Sequence, residues 1–368
     1  METQIRITPG KLKSLIHDSE KSARAVHLQY VNDSQPGIQR IRHGKSFSYR
    51  YNNETVKDKE QLLRIRKLVI PPAWENVWIC KDADGHIQVT GFDARQRKQY
   101  RYHALWNSLR NQTKFFHMLE FGKVLPAIRL QVEKDLSLPG IPQEKVLATV
   151  ISLMERTNIR IGNSTYEKQN GSFGLSTLKD RHVKISGYEM KFIFKGKKGV
   201  SHAISLRNKK LAKIVQRCKD IPGKELFQYI DENGAHRSID SGMVNNYIRN
   251  ICGEGFTAKD FRTWNGTLQA LLSLKSLGCE TQVTVIRKNI VAALDEVSRK
   301  LGNTRTVCKK YYVHPTIVTL YENQCLDKYL QELDEIEEND NLKDLTSAEK
   351  LMLRIIEKES VIRIQEAS

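Results

Sequence analysis

Several features that would set the class of this 368-residue chain at once are missing from it. No stretch stays apolar for the eighteen or more residues that a membrane-spanning helix needs, so no membrane association is expected. The first residues, METQIRITPGKLKSL, are polar and charged where a secretory leader would carry an apolar core, and a cytoplasmic protein is expected. The six cysteines (Cys80, Cys218, Cys252, Cys279, Cys308 and Cys325) are scattered with no CxxC pair, which argues for reduced thiols rather than disulfides or a zinc site. No GxxxxGK[ST] loop is present, so no nucleotide cofactor is indicated. No HExxH and no Cys/His cluster is present, so no catalytic metal is indicated either. There is no internal repeat, and low complexity is confined to the acidic run DEIEENDN near the C-terminus.

Positive charge is what the chain has in excess. Lys and Arg number 60 against 42 Asp and Glu, a formal net charge of +18. The last 38 residues hold 11 acids and 5 bases, so residues 1–330 carry +24, from 55 bases against 31 acids. A body that basic points to a polyanion, most often nucleic acid.

Hydrophobic periodicity divides the chain. Residues 1–25 read as an irregular arm. AVHLQYV, PGIQRIRHG and KSFSYRY read as strands, followed by a helix in KDKEQLLRIRKLVI that ends at Pro71 and Pro72. Val77–Cys80 and Ile87–Thr90 flank DADG and predict a hairpin with an Asp-Gly turn. Arg95–His103, RQRKQYRYH, interleaves four cations with two tyrosines. On a strand Tyr100 and Tyr102 share a face while Arg101 points away, an arrangement that can lay aromatic and amide groups along a groove with Arg and Lys on phosphates. From about residue 104 the period becomes helical. In QEKVLATVISLMERTNIRIGN, Val146, Val150, Leu153 and Met154 form a buried stripe, with the helix end expected near Arg160 and Gly162. GSFGLSTLKDRHVKISG reads as extended, and the alternation on either side of GKKG predicts a hairpin presenting Lys197 and Lys198 at its tip. SGMVNNYIRNI, FRTWNGTLQALLSL and TQVTVIRKNIVAALDEVSRKL read as helices, the last capped at Gly302 before Asn303. Beyond about residue 331, Thr346 and Glu349 form a capping box before LMLRII, whose Met352, Ile355 and Ile356 share a face suited to docking on the body.

With no metal or nucleotide motif, the available chemistry is a nucleophile among fixed cations. LGNTRTVCKKYYVHP places two tyrosines, Tyr311 and Tyr312, behind Lys309 and Lys310, and KDFRTW places Arg262 some fifty residues upstream. A tyrosine attacking a phosphodiester needs permanently charged groups on the nonbridging oxygens, which suits Arg, and a proton donor for the departing sugar oxygen, which suits Lys. The phosphotyrosine ester that results keeps the energy of the broken diester, so religation needs no cofactor. Spacing alone does not select residues among 60 cations, most of which are solvated surface groups.

RIRKLVIPPAWENVWIC, GFDARQRKQYRYH, KVLATVISLMERTNIRIGN, NGSFGLSTLKDRHV, FKGKKGVSH, FTAKDFRTWNGT and LGNTRTVCKKYYVHP, in this order over residues 60–320, resemble the type IB DNA topoisomerases of the small poxvirus-like and bacterial branch. The resemblance implies an α+β fold: a small β-rich amino-terminal domain (1–105) and a larger, mainly helical catalytic domain with a β-hairpin (106–330) clamping DNA, the latter shared with tyrosine recombinases, then an acidic and helical tail (331–368). It implies that Arg160 and Arg262 are the catalytic arginines, Lys197 the general acid, Lys259 an ancillary lysine and Tyr312 the nucleophile, nine residues after Asn303, which stands where many relatives carry histidine. It further implies DNA contacts at Arg97, Lys98, Gln99, Tyr100, Tyr102, Tyr166 and Lys198. Double-stranded DNA is the expected partner of a monomer without cofactor, on the nucleoid in a bacterium or in a virion or viral factory in a virus. Supercoils of both signs would relax through a nick held as a 3′-phosphotyrosyl ester. Two alternatives stand beside this reading. A tyrosine recombinase is disfavoured by Thr263 after Arg262, where recombinases carry histidine, and a silent DNA-binding protein by the intact set of Arg160, Lys197, Arg262 and Tyr312.

Overall fold

The structure is a computed structural model that describes residues 5–6, 15, 18–44, 46–94, 96–253, 255–333, 344–359 and 363–364. The chain divides into two units, Met1–His117 with Val361–Ser368, and Met118–Ser360. The acidic run DEIEENDN lies outside the described residues.

The first unit opens with β1 (Ile5–Arg6) and the short helix α1 (Ser19–Arg24), whose start is fixed by Asp18 accepting from the Lys21 N–H. Residues 1–25 are thus more ordered than an irregular arm at Ser19–Arg24. AVHLQYV is not a strand: only Gln29 pairs, in an isolated bridge to Gly85. Its apolar residues Val26 and Leu28 are instead buried against Leu105, Trp106 and Leu109. The strands β2 (Ile38–His43), β3 (Ser46–Tyr51), β4 (Glu54–Thr55), β5 (Glu75–Ile79), β6 (Ile87–Phe92) and β7 (Lys98–Tyr102) form one antiparallel sheet in the order β4-β3-β2-β5-β6-β7. Helix α2 (Lys59–Lys67) starts at its cap Asp58 and buries Ile65 with Ile38, Val77, Ile79 and Val89. The β5–β6 hairpin is present, but residues 80–86 connect it rather than a two-residue Asp-Gly turn. Gln88 holds that loop by donating to the carbonyls of Ala83 (2.9 Å) and Gly85 (2.7 Å). The division between units falls within the long helix α3 (Ala104–Asp135).

In the second unit, α4 (Gln143–Thr157) buries Val146, Val150, Leu153 and Met154 as its period predicts. It stops earlier than expected, because Asn158 adopts the left-handed conformation (φ 58°) and caps it. A short helix α5 (Ser164–Asn170) follows, and two 3₁₀ turns (Leu175–Thr177 and Asp180–His182) interrupt residues 171–187, the stretch expected to be extended. The strands β8 (Val183–Ser186), β9 (Glu189–Lys195) and β10 (Ser201–Arg207) form an antiparallel sheet in the order β10-β9-β8. Helix α6 (Lys209–Lys219) follows, then a small hairpin of β11 (Gln228–Ile230) and β12 (His236–Ser238). Helices α7 (Ser241–Cys252), α8 (Ala258–Leu277), α9 (Val283–Leu301), α10 (Arg305–Tyr311), α11 (Pro315–Glu322), α12 (Asp327–Leu330) and α13 (Ser347–Glu359) complete the unit, and β13 (Arg363–Ile364) pairs with β1. No described helix is long and apolar enough to cross a membrane.

Helix α13 carries the expected capping box: the Thr346 N–H donates to Glu349 (2.9 Å) and the Glu349 N–H to the Thr346 hydroxyl (3.3 Å). Met352, Ile355 and Ile356 are fully buried, so this helix belongs to the core of the second unit. Gly122 permits the fit, since a Cβ there would come within 2.5 Å of both Leu353 and Trp264. The mixed α+β class expected from the sequence, a β-rich first unit and a helical second unit with a hairpin, is the class observed.

Candidate active site

Four local features bring Tyr312 beside two arginines. First, the left-handed Asn158 turns the chain out of α4 into Ile159–Arg160–Ile161. Both isoleucines are buried, so Arg160 between them faces the other way. Second, α8 is nucleated by Thr257 and Asp260, which cap each other reciprocally. Arg262 lies in its first turns between buried Phe261 and Trp264, which pack edge-on against Phe121. Third, α9 ends on left-handed Gly302 (φ 56°), which presents Asn303. Fourth, α10 ends at Tyr312, whose backbone lies against Gly266 of α8. A Cβ on Gly266 would come 2.6 Å from the Tyr312 carbonyl oxygen, and the Thr267 hydroxyl donates to that same oxygen at 3.2 Å.

Arg262 is only 4% exposed. Its terminal nitrogens donate to the carbonyls of Asn158 and, at 2.7 Å, Leu301, and its guanidinium carbon lies 5.2 Å from the centre of the Tyr312 ring. Arg160 donates to Asn303 Oδ1 (2.7 Å) and the Gly302 carbonyl (3.3 Å). The Tyr312 hydroxyl lies in the field of both arginines, each of which favours its deprotonated form. Arg262 Nε and Asn303 Nδ2 are buried donors with no hydrogen-bond partner among the described residues. A tetrahedral phosphate oxygen suits donors of this kind.

Burial pushes the Tyr312 phenol up, but Arg262, Arg160 and Lys259 outweigh it, so the hydroxyl sits below the ordinary tyrosine value. Burial and the repulsion of Arg160 bring Arg262 down to about 10, which leaves it charged at neutral pH. Cys308, fully buried beside these arginines, is pushed up by burial to about 11 and stays a thiol.

The other expected site residues are placed unequally. Tyr311 is 41% exposed under Lys310 and does not join the arginines as Tyr312 does. Lys259 is exposed on the first turn of α8. Lys197 and Lys198 sit exposed in the five-residue tip 196–200, with Lys198 left-handed (φ 62°). Lys197 has no hydrogen-bond or ion-pair partner among the described residues. In the first unit, Tyr100 and Tyr102 share an exposed face of β7, stacked 5.9 Å apart and 11° from parallel. Two cations of that segment are already engaged: Arg97 pairs with Asp93 (2.7 Å) and Lys98 with Asp33 (2.5 Å). Gln99 donates to Asp93 as well, at 3.1 Å. The Tyr166 side chain lies outside the described residues.

Three participants escape sequence reasoning. Asn158 offers its carbonyl to Arg262, Gly266 makes room for Tyr312, and Glu349 on α13 accepts from Trp264 Nε1 (2.8 Å) and from Arg129 (2.8 and 3.0 Å). Gly266 leaves a trace as a glycine inside a helical pattern, and Glu349 only as the capping-box partner of Thr346.

The family model for the eukaryotic DNA topoisomerase I catalytic core matches residues 98–339, and that for the bacterial DNA topoisomerase IB N-terminal domain matches residues 46–93. A protein of Acanthamoeba polyphaga mimivirus named DNA topoisomerase 1B is 36% identical over 296 residues, 78% of this chain and 88% of that protein. The DNA topoisomerase 1B of Vaccinia virus (strain Copenhagen) is 24% identical over 258 residues, 68% of this chain and 77% of the viral protein. The DNA topoisomerase I of Monkeypox virus is 23% identical over 255 residues, with the same shares covered.

Proposed function

The chain belongs to the type IB DNA topoisomerase family, and we propose that Tyr312 is its nucleophile, working on duplex DNA without ATP or a metal ion. The observation that carries this reading is the placement of Tyr312 beside buried Arg262 and half-buried Arg160, with two buried donors that have no partner among the described residues, Arg262 Nε and Asn303 Nδ2.

The Tyr312 hydroxyl loses its proton to water, and its oxygen attacks phosphorus as the bond to the 5′-oxygen breaks. Arg262, Arg160 and the Asn303 amide hold the nonbridging oxygens, where charge builds up. Asn303 donates a hydrogen bond but no charge, so the positive field comes from the arginines. Lys197 protonates the leaving 5′-oxygen, for which an exposed side chain on a hairpin tip has the freedom to approach. The 3′-phosphotyrosyl ester retains the energy of the broken bond. The free 5′ end rotates under torsion, and the reverse attack reseals the strand, so supercoils of both signs relax.

In this reading residues 1–105 contact DNA, with Tyr100 and Tyr102 as an exposed aromatic pair and Gln99, Arg97 and Lys98 exchanging their carboxylate partners for DNA. Residues 106–330 carry the chemistry, with Tyr166 and Lys198 as further DNA contacts and Lys259 in support. The enzyme acts as a monomer in the cytoplasm. The segment 331–368 contributes α13 as a buttress behind Trp264.

Plasmid relaxation in EDTA without ATP tests the proposal. Wild type should relax both positive and negative supercoils, while Tyr312→Phe should bind duplex DNA and relax neither. Relaxation retained by Tyr312→Phe rejects Tyr312 as nucleophile. Binding should weaken steeply with salt, as counterions are released by a basic surface.

A further inference from the structure

His202 lies on β10 directly across from Phe194 of β9, and its ring stacks on that phenyl at 5.0 Å and 21°. Both neighbours of its outer edge are glycines. A Cβ on Gly196, the residue before Lys197, would come 2.6 Å from His202 Nε2, and a Cβ on Gly302, the residue before Asn303, would collide with His202 Cε1. The imidazole therefore fills a slot between the base of the lysine-bearing tip and the turn that presents Asn303.

That turn is also where the arginines are fastened. Arg262 donates to the Leu301 carbonyl (2.7 Å), and Arg160 to the Gly302 carbonyl (3.3 Å) and Asn303 Oδ1 (2.7 Å). Residues 301–303 thus meet the arginines through hydrogen bonds and the hairpin through the His202 ring. The ring is held by shape: no hydrogen bond fixes it among the described residues. Burial, and then Arg160 and Arg262, push its pKa below the ordinary histidine value, so it adds no charge to the site at neutral pH.

We propose that His202 is a positioning residue that docks the hairpin on the Gly302–Asn303 turn and thereby sets the reach of Lys197 toward the leaving 5′-oxygen. This rests on the reading of Lys197 as the general acid. Among the described residues the tip of residues 196–200 is closed by its own backbone, through the Gly196 N–H to Val200 carbonyl bond (2.7 Å), and the Phe173 N–H donates to the Lys195 carbonyl just before it (2.8 Å). A lysine on so short a tip needs a fixed base for its ammonium to arrive repeatedly at one oxygen, and proton transfer is sensitive to that distance.

The test changes the leaving group. In cleavage, the Tyr312 oxygen–phosphorus bond forms, the phosphorus–5′-oxygen bond breaks, and the lysine proton goes to that oxygen. With a 5′-bridging sulfur the phosphorus–sulfur bond breaks instead, and a thiolate departs without needing a proton at neutral pH. Single-turnover formation of the covalent adduct is measured for wild type, Lys197→Ala, His202→Ala and His202→Phe, on duplexes carrying either leaving group at a cleavage site mapped on plasmid DNA.

The expected result is that His202→Ala slows cleavage of the ordinary duplex by roughly 10- to 100-fold, part of the 10²- to 10⁴-fold a general acid typically supplies. On the sulfur-bridged duplex it should fall within threefold of wild type, and His202→Phe, which keeps the ring, should lose less than His202→Ala on the ordinary duplex. Rescue of Lys197→Ala by sulfur without rescue of His202→Ala would overturn the positioning role alone, as would a His202→Ala variant with no deficit or with no adduct on either duplex. Failure of sulfur to rescue Lys197→Ala would instead reject Lys197 as the acid.

Discussion

Arg262 and Lys197 are cations assigned to one phosphodiester, but the fold surrounds them in opposite ways. Arg262 is 4% exposed, wedged between buried aromatics and tied to two main-chain carbonyls. Lys197 stands exposed on a five-residue tip without a protein partner among the described residues. The difference matches the work proposed for each. A group that neutralises growing charge is most effective when it is already oriented and dry. A group that gives a proton away and takes it back must approach and withdraw. Substitutions that exchange these surroundings, or loosen one of them, are the means of testing the contrast.

The largest effect should come from behind the site, where the buried style of support is carried furthest. Arg129 is 4% exposed and pairs with both Glu155 (2.7 Å) and Glu349 (2.8 Å), while Glu349 also accepts from Trp264, two residues from Arg262. Arg129→Met would leave two buried carboxylates without their cation, and should cost about 3–5 kcal/mol of stability by denaturant unfolding. The pH dependence has a defined sign. Burial pushes Glu349 up, but Arg129, Trp264 and the Thr346 N–H outweigh it, leaving the carboxyl below its ordinary value. Its stabilising contribution is complete above the ordinary carboxylate range and fades as pH falls through the lowered folded value. Glu349→Gln should flatten that acid limb of the stability profile.

Arg262→Lys addresses the contrast directly. A lysine at 262 keeps the charge but not the planar fork that bonds two carbonyls at once. Single-turnover cleavage should fall by roughly 10²- to 10³-fold, the usual loss for an oriented donor at developing charge. A loss below tenfold would show that a flexible cation suffices there, as at position 197, and the contrast would collapse.

Gly266→Ala should act next, with no charge changed. Its Cβ would come 2.6 Å from the Tyr312 carbonyl oxygen and 3.1 Å from Tyr312 Cβ, and these backbone and near-backbone atoms have little room to move. Overpacking of this kind costs about 1–3 kcal/mol of stability. The displaced tyrosine should cleave more slowly, and binding of uncleaved duplex should be unchanged in a gel-shift assay.

What the sequence discloses of this site follows a physical rule. The family resemblance, through the nine-residue interval from Asn303, implies Tyr312 rather than Tyr311, and the structure sets Tyr312 beside Arg262 and leaves Tyr311 exposed. Alternation around GKKG foretells the hairpin, and Thr346 with Glu349 the start of α13. These are local patterns. The carbonyl of Asn158 on Arg262 spans 104 positions, and Glu349 on Arg129 spans 220, and neither partner carries a local signal. AVHLQYV misleads because its apolar residues are buried by Trp106 and Leu109 rather than by strand pairing. The β11–β12 hairpin passes unnoticed although Asn233 and left-handed Gly234 (φ 76°) mark its turn. The pairing of Lys98 with Asp33 is illegible for the same reason as that of Glu349, since the partners are far apart in sequence, whereas Arg97 pairs with Asp93 one helical-turn spacing away.

The smallest expected effect belongs to the exposed side of the contrast. The Tyr312 hydroxyl lies below its ordinary pKa because Arg262, Arg160 and, last among them, exposed Lys259 outweigh burial. Where loss of the phenolic proton limits cleavage, the rate should rise with pH and level off below the ordinary tyrosine value. Lys259→Ala removes the weakest of the three fields, so the levelling-off should move to higher pH by less than it does in Arg262→Ala, with the plateau rate preserved. A plateau that falls while the profile stays in place would mean that Lys259 touches the reacting phosphate itself, and that an exposed cation does more here than tune the nucleophile.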